Sequence, residues 1–230
     1  MKEIRKNTYE MHLHTRETGW CAQVWAKDIV DAYAKIGYQG ICVTNHLFNE
    51  GMQAISKDGW EEKVDVWLEG YRAAKKQAEK YQDFDVILGA EIRLNQGDEE
   101  FLLYGITREA IIQSPEMFDF NIQQCFEFAN DNNIVMIQAH PYRPYIKTRD
   151  IDHIHGLEVY NGNARHSNNN DKAYDLANRN SLIMLAGSDY HQLGDEGSAG
   201  MSFKNRVTNS IEMAKELKSN NGELYIDSSK

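Results

Sequence analysis

Proline is scarce in this chain, three residues in 230, and no Gly/Ser or Gln/Asn tract interrupts it. A flexible linker between independent units is built from such stretches. A single domain spanning residues 1–230 is therefore expected, and 41% hydrophobic residues suffice for one sizeable core. No internal repeat with a period of roughly 20–50 residues is visible, which excludes solenoids and propellers. Cysteine is equally sparse. Cys21, Cys42 and Cys125 are odd in number and widely spaced, so they form neither a disulfide framework nor a CxxC zinc site. No apolar run approaches the roughly 18 residues of a membrane span, and Met1 to Asn7 lacks the apolar core of a signal peptide. A soluble protein of the reducing cytoplasm, with no membrane partner, is expected.

Positive charge is in the minority: 25 Lys and Arg against 35 Asp and Glu, a net charge of −10 with no basic cluster. That field repels polyanions and disfavours nucleic acid as a partner. Bound metal ions can invert the local sign, so a small phosphorylated substrate stays admissible. A GxSxG elbow is also missing, as is any Ser-His-Asp or Cys-His arrangement, which leaves water as the nucleophile.

What the chain does contain is an alternation of short apolar runs and longer amphipathic ones, the pattern of an α/β fold. Strands are expected at Tyr9 to Leu13, Gly40 to Thr44, Asp85 to Ala90, Phe101 to Ile106, Ile134 to Ala139, Gly156 to Tyr160 and Leu182 to Ala186. Helices are expected from Lys27 to Ile36, ended by Gly37, from Glu61 to Tyr81, from Asn121 to Asn130, from Asp171 to Arg179 and from Ser210 to Lys218. A last apolar run is Leu224 to Ile226.

The residues that end the strands carry chemistry. The first strand finishes in His12 and His14, the second runs into His46, the third into Glu91, the fifth into His140 and the seventh into Asp189 and His191. Barrel enzymes draw their catalytic residues from the C-terminal ends of several strands. Residues at i and i+2 on a strand point to one face, so His12 and His14 can share an ion, and Asp189 and His191 repeat that spacing. Glu91 can bridge two ions. Mixed imidazole and carboxylate donors suit zinc, manganese or iron(II) better than calcium. Two or three such ions would generate hydroxide near neutral pH and neutralise charge on a phosphoryl oxygen.

Five motifs, Met11-His12-Leu13-His14-Thr15, Thr44-Asn45-His46, Gly89-Ala90-Glu91, Ala139-His140-Pro141 and Gly187-Ser188-Asp189-Tyr190-His191, follow one another in that order. The chain in this respect resembles the PHP (polymerase and histidinol phosphatase) domain family. The resemblance implies a distorted (β/α)7 barrel with up to three metals and phosphoesterase activity. It also implies ligand sets: His12, His14, Glu91 and Asp189 for one ion, Glu91 and His140 for a second, His46 and His191 for a third. Two departures stand out. Asn45 takes the place of an aspartate, and Glu99-Glu100-Phe101 stands where a histidine is common, leaving Glu100 or water to complete the second site. Cys21 and Glu17 are the nearest candidates to complete the third.

Arg143, Glu91 and His191 are the residues expected at the reacting phosphate. Arg143, just after His140-Pro141, and Arg165 are expected to hold it, although a solvated loop arginine is the alternative for each. His153, His155 and His166 read as surface residues. Trp20, Trp25 and Trp60 either wall the site or pack. Selectivity is expected from the loops Leu47 to Trp60 and Leu193 to Lys204. The leading function is hydrolysis of a phosphate ester by a metal-bound hydroxide. A metal-bearing module that binds a phospholigand without turnover, and an amidohydrolase acting at carbon, are the alternatives. The second lacks a lysine at a strand end.

Overall fold

The computed structural model describes residues 4–18, 21–147 and 150–227. Along the chain run β1 (Thr8–Leu13), α1 (Ala26–Ile36), β2 (Gly40–Val43), β3 (His46–Leu47), α2 (Asn49–Ala54), α3 (Trp60–Trp67), α4 (Glu69–Ala78) and β4 (Asp85–Arg93). There follow β5 (Glu100–Tyr104), α5 (Arg108–Gln113), α6 (Ile122–Asp131), β6 (Val135–Gln138), β7 (Gly156–Asn161), α7 (Asn170–Asn180), β8 (Ile183–Gly187), β9 (Ala199–Phe203), α8 (Ser210–Lys218) and β10 (Gly222–Ile226).

The strands lie in the order β10-β9-β1-β2-β4-β5-β6-β7-β8, with β3 on β4. The sheet curls until its ends nearly meet: just beyond β8, Tyr190 pairs in parallel with Leu13, and Tyr190 N donates to His12 O at 3.1 Å. The result is a distorted α/β barrel of the PHP type. One cluster, Met11, Cys42, Ile87, Leu102, Ile137 and Leu185, takes a residue from each of six strands and fills the interior. Outside, α1 and α4 bury Ile29, Val30, Tyr33 and Ala74 against Ile41, Val43 and Val86. Gly37, with φ 93°, ends α1 as expected, its N–H reaching Ala34 O and Tyr33 O.

Three features depart from the reading of the sequence. β5 runs antiparallel to both β4 and β6, so its first residue, Glu100, lies at the rim where the parallel strands end. The helix expected over Glu61 to Tyr81 divides at Leu68 into α3 and α4. Gly70 lets α4 lie against the turn after β1, since a Cβ there would stand 2.0 Å from Thr15 Oγ1 and 2.8 Å from Asn45 Nδ2. The segment Leu193 to Lys204, expected as a selectivity loop, is a loop only as far as residue 198; it then enters β9, a buried strand paired antiparallel with β1 and β10. Gly200 allows that pairing: a Cβ would meet Tyr9 O at 2.3 Å. The other expected loop, Leu47 to Trp60, contains α2. Among the described residues no helix is long and apolar enough to cross a membrane.

Candidate metal centre

β1 is not regular. Its register against β2 shifts between Glu10 and Leu13, and a bulge of this kind strands backbone N–H groups. The buried Glu10 carboxylate takes up two of them, accepting from Met11 N at 2.9 Å and His12 N at 2.8 Å. It also accepts from Ser188 N at 2.9 Å and from the hydroxyls of Tyr33 and Ser188, at 2.6 and 2.5 Å. One glutamate thus ties the start of the HxH segment to the end of β8. Two candidate ligands sit in the left-handed backbone region, His140 at φ 29° and Asp189 at φ 51°. Such conformations cost about 1–3 kcal/mol each and persist where the surroundings enforce them.

These turns bring the expected residues together. Glu91 lies at the middle, with Oε1 at 3.2 Å from His12 Nε2 and 3.1 Å from His140 Nε2. Its Oε2 is 3.3 Å from His14 Nε2 and 2.9 Å from His46 Nδ1. Asp189 Oδ1 is 3.4 Å from both His12 Nε2 and His191 Nδ1, and 3.5 Å from His14 Nε2. Glu100 joins them, 3.6 Å from His46 Nδ1 and 3.4 Å from His140 Nε2.

Four overlapping triads have ligand atoms within 4.8 Å of one another: His12-His14-Asp189, His12-Glu91-His140, His46-Glu91-Glu100 and His14-His46-His191. Among the described residues His12 Nε2, both ring nitrogens of His14, Glu91 Oε2 and His140 Nδ1 are buried without a hydrogen-bond partner. An orphaned buried polar atom costs about 1–3 kcal/mol, so such a concentration on one rim asks for a partner outside the protein. Nitrogen and oxygen donors in this arrangement fit divalent cations.

The electrostatics point the same way. Burial opposes a proton on His12, yet Glu158, Glu91 and Asp189 hold its pKa well above the usual imidazole value. Burial likewise opposes the charges on Glu91 and Asp189, but neighbouring histidines, and Arg143 beside Asp189, hold both carboxyls well below the usual range. The pKa of His14 is pushed down to about 3 by burial with help from His46 and His191, which keeps its ring neutral. The rim is a negative cage that demands cations, whether protons or metal ions.

Arg143 is at the mouth and buried, not a solvated loop residue. Its guanidinium bonds Asp189 Oδ2, Asn161 Oδ1 at 3.3 Å, Asn168 Oδ1 at 2.9 Å and the Tyr145 hydroxyl at 3.4 Å. Arg165 is half-exposed and bidentate to Asp195 at 2.5 and 2.8 Å. Asp195 in turn accepts from His191 N at 2.9 Å, so Arg165 braces the loop that carries His191. Glu17 accepts from Ala26 N at 3.0 Å and serves the start of α1. Asn45 bonds Thr15 N and the Thr18 hydroxyl, both at 2.8 Å, and shapes the turn after the HxH segment. His153 and His155 are half-buried, not fully on the surface, and His166 is exposed. Trp25 is exposed with Arg16 over its ring, Trp60 packs on Phe118, and Trp20 lies outside the described residues.

Sequence reasoning missed Glu10, Glu158 and the asparagine cluster. Glu158 Oε1 bonds His12 Nδ1 at 2.9 Å, and its Oε2 accepts from His140 N at 2.8 Å and Asn161 Nδ2 at 2.9 Å. A carboxylate inside a buried apolar run, as in TYEMHL or GLEVYN, was the available signal, because burial without a partner is too costly to be accidental.

No family model and no curated protein matches the chain. Solved structures of the same fold are nonetheless found. A two-domain protein from Bacteroides vulgatus, described as containing a predicted PHP-like metal-dependent phosphoesterase, gives a TM-score of 0.68 at 20% identity, over 95% of this chain and 64% of that one. PsfC from Pseudomonas syringae gives 0.72 at 14% identity, over 98% and 93%. The lesion-specific endonuclease PfuEndoQ from Pyrococcus furiosus gives 0.62 at 16% identity, over 95% and 57%. The chain spans less than two thirds of the first and third of these proteins. The fold expected from the five motifs is met by this likeness.

Proposed function

We propose that the chain is a metal-dependent phosphoesterase that hydrolyses a phosphate ester of a small substrate, using two or three divalent ions. The observation that carries the reading is the set of buried, partnerless His and Glu atoms gathered on one rim. His12, His14, Glu91 and Asp189 would hold one ion, Glu91, Glu100 and His140 a second, His46 and His191 a third. Zinc, manganese and iron(II) all suit these donors. Bound there, such ions would acidify a water and neutralise charge developing on the phosphoryl oxygens.

The chain's own residues prepare that chemistry. Glu158 holds His12 by Nδ1, which turns Nε2 toward the centre. The Asp189 carbonyl holds His191 Nδ1 at 2.8 Å, leaving Nε2 for an ion or a reacting proton. Arg143 engages one oxygen of Asp189, and its Nη1, 3.4 Å from the exposed Tyr145 hydroxyl, remains available to a phosphoryl oxygen. Arg165, bound to Asp195, is better suited to bracing the His191 loop than to holding phosphate. A groove of about 720 Å³ beside His46, walled by Phe48, Met52, Ile55, Val66 and Trp67 and edged by Arg16 and Arg93, would take the leaving group.

A nucleic-acid phosphodiester is the second reading, favoured by the fold likeness to a lesion-specific endonuclease and opposed by the net charge of −10. The deciding experiment is elemental analysis beside turnover of p-nitrophenyl phosphate and of a duplex oligonucleotide, for wild type and His12→Ala. The expected outcome is roughly two or three ions per wild-type chain and phosphomonoester turnover, both reduced in the variant. Bound metal and a tight phospholigand complex without turnover across a phosphoester panel would mark a binding module. No bound metal after reconstitution with Mn²⁺, Zn²⁺ or Fe²⁺ would sink the proposal.

A further inference from the structure

We propose that the Tyr145 hydroxyl and Arg143 Nη1 clamp one non-bridging phosphoryl oxygen between them, which makes Tyr145 a catalytic residue of the rim. The proposal rests on the phosphoesterase reading above and adds a side chain to it.

The turn that carries both residues is stiff. Pro141 and Pro144, two of the three prolines in the chain, fix the backbone on either side of Arg143. Arg143 N donates to His140 O at 3.1 Å and Ile146 N to Arg143 O at 2.9 Å. The buried Ile146 side chain pins the end of the turn. Between these anchors Tyr145 is 46% exposed, although Arg143 is buried. It stays close to the centre, with its ring centroid 6.5 Å from that of the candidate ligand His140.

Most donors of Arg143 are already engaged. A guanidinium has five N–H groups. Nε is taken by Asn168 Oδ1, and Nη2 by Asn161 Oδ1 and Asp189 Oδ2. Nη1 meets only the Tyr145 oxygen, at 3.4 Å, which is long for a hydrogen bond. A guanidinium cannot accept, so the hydroxyl's own O–H is left without an acceptor among the described residues. A phenol keeps its proton at neutral pH. An N–H and an O–H are therefore both free at one corner of the mouth. Asp189, bound by Nη2 of the same guanidinium, is a candidate metal ligand. An oxygen lodged in this corner can thus belong to a phosphoryl group that also reaches the ions. Donors fixed in place beforehand stabilise charge as it builds on such an oxygen.

Tyr145→Phe removes the hydroxyl and keeps the ring. It is to be compared, in Mn²⁺-loaded protein, with wild type and with Tyr174→Phe, which alters an equally exposed tyrosine of α7. The readouts are kcat on p-nitrophenyl phosphate and on phenyl phosphate, affinity for inorganic phosphate, and metal content. Loss of a hydrogen bond to a charged oxygen should lower kcat about 10–100-fold, by the same factor on both esters. Phosphate should bind more weakly, with metal content unchanged, and Tyr174→Phe should match wild type throughout. Unchanged kcat in Tyr145→Phe would overturn the clamp and leave the phosphoesterase reading intact. A loss confined to phenyl phosphate, the poorer leaving group, would also overturn it by assigning the hydroxyl to the leaving oxygen. Loss of metal would do the same by marking Tyr145 as part of the scaffold. A wild type that takes up no metal, or turns over neither ester, would overturn the phosphoesterase reading and this proposal together.

Discussion

The two ends of the barrel use the same kinds of residues to opposite effect. At the floor, where α8 closes the barrel, the polar groups are paired with one another. Asp85 accepts from Arg206 Nε and Nη2 at 2.7 and 2.9 Å, the Tyr9 hydroxyl accepts from Val207 N at 2.8 Å, and Thr8 and Ser202 share a bond of 2.8 Å. Ser210 Oγ takes the N–H of Gly105 at 2.7 Å, while Met213, Ala214 and Leu217 pack into the interior cluster. At the rim, the carboxylate Glu91 faces four imidazoles, several ring nitrogens are buried without partners, and His140 and Asp189 hold left-handed backbone. A protein that satisfies its polar groups at one end and leaves them open at the other has its stability built at the first and its chemistry at the second.

The sharpest way to break that contrast is to disturb the rim without touching a ligand. Glu158 holds His12 Nδ1 and the backbone N–H of His140. Glu158→Gln keeps the shape and removes the charge. It is expected to weaken metal affinity about 10–100-fold, as for other partners of metal-bound histidines, with turnover restored at high metal concentration. Competition against a chromogenic chelator measures it. Unchanged affinity would mean that His12 is oriented by packing alone.

How much of this was legible in the sequence follows the same division. The rim histidines, Glu91 and Asp189 could be read because strand parity and strand ends are local properties, fixed by spacing. Helix α8 could be read for the same reason: its expected bounds, Ser210 to Lys218, are those observed. The reversed direction of β5 could not, since pairing partners far apart in sequence decide it, and Glu100 was reached only through the family resemblance. β9 was hidden by small residues, Ala199 and Gly200 among them, that suit close pairing with β1 but do not look like a strand. Arg143 was legible as a rim residue, but its attachment to Asp189 requires knowing that two loops meet. Glu10 and Glu158 were passed over as strand interior, although a charge there was itself the clue.

Acidity should separate the two ends next. Without metal, the raised imidazoles of His12 and His46 bind protons more tightly in the folded state. Their stabilising contribution is complete below the unfolded imidazole value of about 6.5 and is lost as pH rises through their higher folded values. A metal ion competes for the same nitrogens and fills the role that protons leave. The rise in Tm on adding Zn²⁺ should therefore be small near pH ~5.5 and grow to several degrees near pH ~8. Calorimetry with and without chelator across that range checks it. A metal-induced rise that shrinks with pH would detach the ions from these imidazoles.

The smallest effect belongs to the floor. Asp85 is buried, but Arg206 is 39% exposed, so water replaces much of what the pair loses when it is broken. Asp85→Asn is expected to lower stability by about 1 kcal/mol, near the upper end for pairs with one exposed partner, and to leave turnover per folded molecule and metal content at wild-type values. The shift in urea midpoint reads the first and an assay at saturating metal the second. A floor variant that lost metal would show the two ends to be coupled through the strands, with the rim geometry depending on barrel closure at the floor rather than on Glu10, Glu158 and Arg143 beside it.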